Sequence, residues 1–385
     1  MNEATIEIES SRGYAKLSGP NGEFGEQGLE LDQSPTGMFS TEFTTRTVSG
    51  NFEVGGRVTG QTVPIRQMVL PINCYEMPGQ SIEKTISNLR KLFGSPLDRR
   101  KVKWTYTSEL SGPRWLIVQL ASEIKLNPQR DWNIDGFARA VVTVLAEQPM
   151  YESPEDVQTW TNPNDRFIVT LKNGLLGGPQ GNFTLSYGGQ TTGNIAVTAT
   201  AATIKTAVEG LSSVGAGHVT VTGAAGGPWT FVFNGVTGTL TANGAGMTRG
   251  SVKAEGASIG YFTIENPTDQ IQWNEWDFDP GQWQFPDFSF GQERLWKRAA
   301  GVDAARMIVT PPLTGRLSVM CDPMMDPYIG EALNSVAGDF NGVMPMYGVP
   351  PYTPETVVPI VCNAAAGAQA ILTQRRLWSA ESGME

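Results

Sequence analysis

The runs Val102–Ser108, VKWTYTS, and Arg114–Leu120, RWLIVQL, alternate in residue type at a period of two. That period sends successive side chains to opposite faces of a strand, one onto a core and the other toward water or a neighbour. The same alternation recurs in ATIEIES (4–10), GLELD (28–32), FSTEFTTRTV (39–48), NFEVGGRV (51–58) and ARAVVTVLAE (138–147). The first 150 residues therefore read as a set of short strands. One amphipathic stretch interrupts them, SIEKTISNLRKLFG (81–94), where Ser81 caps a helix, Ile82, Ile86, Leu89 and Phe93 share a face, and Gly94 closes the end. Residues 1–150 are expected to form a β-sandwich covered by that helix.

Composition agrees with this class. The 385 residues exceed what a single core usually holds, so two or three domains are expected. With 44 Gly, 25 Pro and 17% charged residues, the chain suits short strands joined by tight turns. The fold class is mainly β, with two sandwich-like domains. The segment 147–165, EQPMYESPEDVQTWTNPND, is rich in Pro, Asn and Asp and marks a boundary.

Beyond it, residues 181–223, GNFTLSYGGQTTGNIAVTATAATIKTAVEGLSSVGAGHVTVTG, are nearly free of charge. Phe183, Leu185 and Tyr187 alternate, Gly188 and Gly189 supply a turn, and Ala201, Ile204, Val208 and Leu211 form a helical stripe capped by Thr200. With Trp229, Phe231 and Phe233 alternating further on, the order is ββαββ, with a fifth strand available at TGTLTA (237–242). Residues 177–250 read as an inserted module, and 151–176 with 251–385 as the discontinuous β domain that hosts it. The end, ILTQRRLWSAESGME (371–385), reads as one more strand or docking segment followed by a short loose tail.

Several functions are disfavoured. A net charge of −10 lacks the basic footprint of a nucleic-acid binder, and the basic run Leu97–Trp104, LDRRKVKW, reads as a solvated strand start. Cys74, Cys321 and Cys362 form no short-spaced pair, and a single histidine, His218, supplies neither a zinc motif nor a triad. The glycine pairs read as turns. Neither a signal peptide nor a membrane span is expected, and no cofactor, metal or catalytic residue is assigned.

One cluster invites a specific chemistry. In WNEWDFDPGQW (273–283), Glu275, Asp277 and Asp279 lie among Trp273, Trp276 and Trp283. Paired carboxylates would suit a glycosidase, but nothing in the sequence raises the pKa of one of them as acid catalysis requires. The tryptophans would serve as a sugar-stacking platform, but aromatic residues alternating in a strand are more often core or subunit interface.

The inserted stretch with GGPWTFVFNG (226–235) resembles a small module found within structural and minor tail proteins of actinobacterial phages. The remainder is similar to the distal tail proteins of long non-contractile phage tails. The features are the N-terminal strand set with its helix SIEKTISNLRKLFG, the closing strand VVTVLAEQPMY (141–151), and a second sandwich beginning NPTDQIQW (266–273). The part after Arg294 is longer than that family's compact, galectin-like second domain. The resemblance implies a virion protein at the distal end of the tail, a hexameric ring made by the N-terminal domain. Its implied partners are the tail tube, the tape-measure protein and other hub proteins. Receptor-binding components and a host surface glycan follow as further partners.

Overall fold

The computed structural model describes residues 4–20, 25, 27–39, 41–52, 54–95, 97–98, 100–126 and 130–385. Ser40 and Glu53 of the expected strand runs, and Arg99 of the basic run, lie outside the described residues, as do the first residues, 1–3, of the expected N-terminal domain. The protein is mainly β, and the chain divides into two compact units. The first comprises Met1–Glu155, Asn266–Gln272 and Arg375–Glu385; the second comprises Asp156–Glu265 and Trp273–Gln374.

In the first unit, strand Thr5–Ser10 lies between Gly13–Ser18 and Val102–Ser108, and the last pairs along its length with Gly112–Leu120. The register sets Ile8 opposite Trp104 and Trp104 opposite Leu116, so one face of each strand is apolar and buried. Strand Phe137–Ala146 joins Gly112–Leu120 only at Val118–Leu120 and then pairs over its full length with Arg66–Tyr75. Helix Ile82–Phe93 buries Ile82, Ile86, Leu89, Leu92 and Phe93 against this core. Each such side chain contributes roughly 1.5–3 kcal/mol before entropy is subtracted. The helix starts where Ser81 Oγ accepts from the Lys84 amide and ends at Gly94, whose φ of 76° a side chain would resist. A short helix, Trp132–Asp135, capped by Asp131, was not legible from periodicity because it spans a single turn.

The strand expected at 51–58 begins only at Arg57, since Asn51–Phe52 and Val54–Gly56 form the connection from Thr44–Val48. The C-terminal tail also differs from expectation. Ser379–Glu385 belongs to the first unit and is tied down there, because two buried arginines need its carbonyls.

The second unit holds two cores. In one, Phe262 and Ile264, Trp283 and Phe285, and Val358 and Ile360 come from one sheet, Ser258–Asn266, Thr353–Asn363, Gln282–Pro286 and Met307–Val309. Trp276, Phe278, Leu317, Val319 and Leu372 come from the facing strands Asn274–Phe278, Leu317–Met320 and Gln369–Trp378, which makes this a sandwich. The other core belongs to the inserted module. Thr200 Oγ1 caps helix Ala201–Glu209 by accepting from the Thr203 amide, and Ile204 and Val208 are buried beneath it. Trp229, Phe231 and Phe233 alternate inward as their spacing implies.

The module is wider than 177–250. Strands Arg166–Lys172 and Ser251–Gly256 pair with each other, the first also pairs with Trp229–Phe233, and Phe167, Val169, Val252 and Ala254 complete its core. Alternation alone cannot say which core a flanking strand faces.

Candidate functional site

The tryptophan cluster is core. Trp276 is 1% exposed and Trp283 is 0% exposed. The Phe262 ring meets Trp276 edge-on at 5.2 Å, and Phe278 stacks on Trp283 at 5.3 Å. Trp283 Nε1 donates to the Asp279 carbonyl at 2.9 Å, which satisfies its polar edge. Trp273 is half-buried against the same core. Neither Trp276 nor Trp283 presents a ring face to a sugar. Trp276 alternates at period two with Phe278, and Trp283 with Phe285, which is the pattern of strands facing inward.

The neighbouring carboxylates hold the structure. Asp277 accepts from Ser318 Oγ across the sheet, while Asp279 accepts the Gln369 amide at 2.9 Å and lies 3.5 Å from the Arg316 guanidinium. His218 is exposed, with Nδ1 2.8 Å from the Asn234 carbonyl oxygen. Burial pushes the thiols of Cys74, Cys321 and Cys362 up to about 12, so each behaves as a small apolar side chain. In the basic run, Arg100 pairs with Asp98, and Lys103 Nζ sits 4.1 Å from the centre of the Trp115 ring.

A ribbon stands out on the surface of the first unit. Strand Thr44–Val48 pairs with Arg57–Thr62 in a two-stranded sheet, bulged between Arg46 and Thr47. Every described residue from Glu42 to Thr59 is exposed, and so are Gln61–Ile65. Phe43, Val48, Phe52, Val54, Val58, Val63 and Ile65 all face solvent on this extension. A two-stranded ribbon is marginal in water, and a run of exposed aromatic and β-branched side chains marks a surface that a partner covers.

Its root is rigid. Strand Arg57–Thr62 runs through Val63–Ile65 into the core strand Arg66–Tyr75, and Arg66 itself is only 5% exposed. Arg66 Nε donates to the Pro149 carbonyl at 2.6 Å, Nη1 to those of Gly37 and Met38, and Nη2 to Thr41 Oγ1 and the Ser379 carbonyl. The guanidinium also lies 4.9 Å from the centre of the Tyr151 ring. Such an arginine leaves no freedom at the point where the ribbon leaves the core. The sequence shows the alternation of the ribbon strands but not that both faces are exposed, because only the tertiary structure shows that none of the other described residues buries them.

No protein-family profile matches the chain, and no curated protein is significantly similar to it. Among solved structures, the SPP1 Dit protein, described as a paradigm of the hub adsorption apparatus in phages infecting Gram-positive bacteria, aligns over 97% of this chain and 99% of its own. Its identity is 9% and its TM-score 0.43. A chain of the phage P2 baseplate in its activated conformation with calcium aligns over 97% of this chain and 98% of its own, at 10% identity and a TM-score of 0.39. A chain of Mycobacterium phage Patience is 21% identical over 42% of this chain and 62% of its own, with a TM-score of 0.21. TM-scores below 0.5 do not establish a common fold, so the functional reading stands on the chain's own residues and surfaces.

Proposed function

We propose that this chain is a structural virion protein of a phage tail tip, a distal tail protein whose first unit closes into a ring between the tail tube and the tip. The observation that carries the reading is the ribbon 44–62, a rigidly rooted extension with apolar side chains on its surface and no cover among the described residues. Laid on the next copy, each ribbon buries those side chains, and repetition closes the assembly without leaving a free ribbon. The resemblance of the strand set, its helix and the closing strand VVTVLAEQPMY to distal tail proteins supports the same reading. A chain of net charge −10 would not grip DNA passing through the ring. The work done is assembly and load transfer, and the tail tube, tape-measure and other hub proteins are the expected neighbours.

Native mass spectrometry and electron microscopy of the purified full chain test the proposal. Closed rings are expected, and replacing residues 44–62 with a short Gly-Ser turn should yield a folded monomer. A wild-type chain that stays monomeric up to high micromolar concentration, or rings that persist without the ribbon, would overturn it. Trp276 and Trp283 lie buried in the sandwich core, so their rings lend no support to a sugar-binding reading.

A further inference from the structure

Both feet of the ribbon are bonded to one backbone oxygen from a segment far along the sequence. Thr41, just before strand Thr44–Val48, donates from Oγ1 to the Ser379 carbonyl at 2.6 Å, across 338 positions of chain. Arg66, just after strand Arg57–Thr62, donates from Nη2 to the same carbonyl at 3.2 Å and also to Thr41 Oγ1. The hydroxyl gives its one proton to Ser379 and accepts the one offered by Arg66, which closes a triangle around that oxygen. Neither foot can swing without giving up a bond to it.

The Ser379 carbonyl is itself fixed from three directions. On the preceding side, Trp378 is buried and its Nε1 donates to Ser153 Oγ at 3.0 Å. The Ser379 amide donates to Asp269 at 3.0 Å. On the following side, Arg114 holds the carbonyls of Ala380 and Gly383, and the Gly383 amide donates to Ser111 Oγ at 2.8 Å. Charge adds to these bonds. Glu381 Oε2 is buried and accepts no hydrogen bond among the described residues. A buried carboxylate oxygen is costly unless a cation compensates it. Burial disfavours the charges of Arg66 and Arg114, and Glu381 is among the groups that offset this at both. Segment 379–385 is therefore seated by its backbone and by one carboxylate, entirely within the first unit.

We infer that segment 379–385 is a clip that sets the direction in which the ribbon leaves the first unit. Its consequence for assembly rests on the ring proposed above. At about 3.3 Å per residue the ribbon reaches on the order of 20 Å beyond its feet, so a swing of about 10° displaces its tip by about 3 Å. Close-packed side chains do not tolerate such an error. An unclipped ribbon points correctly for a fraction of the time, and its apparent affinity for the next copy falls by that fraction. Seating of the clip thus makes a chain competent for ring closure.

Spin labels at Ser49→Cys on the ribbon and Leu110→Cys on the hairpin between Val102–Ser108 and Gly112–Leu120 report the direction, because both positions are exposed and the three native cysteines are buried. Double electron–electron resonance on the full chain, with labelled chains diluted into unlabelled ones, should give a narrow distance distribution. Thr41→Val removes the bridging hydroxyl and Glu381→Gln removes the charge. Each should broaden the distribution with an unchanged circular dichroism spectrum, and Thr41→Ser should restore it. Sedimentation velocity should show self-association weakened about tenfold in the Val and Gln variants. A distribution as narrow in both variants as in the parent would overturn the clip, whether or not rings form. A broadened distribution with unchanged association would overturn its part in ring closure. A parent that stays monomeric, while its variants still broaden, would overturn the ring and support the clip.

Discussion

Arg114 shows how much of this fold depends on single charged residues. Its side chain has no exposed surface, it donates to the carbonyls of Ala380 and Gly383 at 2.9 Å each, and it pairs with Glu385 at 2.7 Å. The guanidinium also lies 3.7 Å from the centre of the Trp378 ring. Replacing it with Ala removes several charge-assisted bonds at once and leaves half-buried carbonyls unpaired, a loss of about 3 kcal/mol. Urea unfolding should register that loss, and limited proteolysis should begin to cut within 379–385. Arg114→Lys should rescue little, because an ammonium cannot serve the carbonyls and the ring from one planar fork. A variant with wild-type stability and a protected tail would show that the arginine does not hold it. None of this was legible in the sequence, since Arg114 and Ala380 are 266 positions apart and no local pattern links them. The tryptophans are the opposite case, since the alternation of Trp276 with Phe278 and of Trp283 with Phe285 is a local signal of inward-facing strands. Trp283→Ala should cost roughly 3–5 kcal/mol as a core truncation, read by thermal unfolding. Any change in glycan binding should then follow the loss of fold.

Among elements, the loops around 287–306 and 342–349 are held by carboxylates in place of a regular sheet. Glu293 accepts from Ser289 Oγ at 2.7 Å and from the Gly301 amide at 2.9 Å, and these bonds hold its carboxyl below its ordinary value. Asp303 is lowered by Tyr347 first and then by Arg298. Both groups have folded-state values below their unfolded ones. Their contribution is therefore complete above the ordinary carboxylate range and is lost as pH falls through the lowered values. Acidification should loosen these loops before the sandwich core unfolds. Hydrogen exchange at the amides of Met346 and Tyr347, which Asp287 accepts, provides the readout. In Glu293→Gln with Asp303→Asn the loops should already be loose at neutral pH, and the acid step should shrink. Equal protection at all pH values in both proteins would show that the carboxylates do not pin the loops. Helix Ile82–Phe93 and strands such as Val102–Ser108 and Phe137–Ala146 were legible because cap residues and periodicity are local signals, whereas the core strand Arg66–Tyr75, an apolar run holding Pro71, was not. The carboxylate-pinned loops were not, because their order depends on bonds such as that from Tyr347 to Asp303, between segments far apart in the chain.

On the scale of the whole molecule, the inserted module is a body that enters and leaves through one pair of strands. Phe167 lies opposite Gly256 and Lys172 opposite Ser251, so the two crossing points are adjacent. Its core, including Phe183, Leu185, Trp229 and Phe231, is closed by residues from those same strands, Phe167 and Val169 on one side and Val252 and Ala254 on the other. A segment spanning roughly one small domain with a contiguous core is able to fold alone, though with a modest margin. Two excisions therefore separate the boundary read from composition from the one the structure draws. Removing 177–250 strips the cover from Phe167 and Val169 and should give a protein that aggregates or unfolds at a lower temperature. Removing 166–256 and joining Asp165 to Ala257 through a short Gly-Ser linker should leave the sandwich and ring assembly intact, while the peptide 165–257 unfolds cooperatively by itself. If the smaller excision is the better behaved of the two, the strands Arg166–Lys172 and Ser251–Gly256 belong to the host domain, and the module ends where its charge-poor sequence ends.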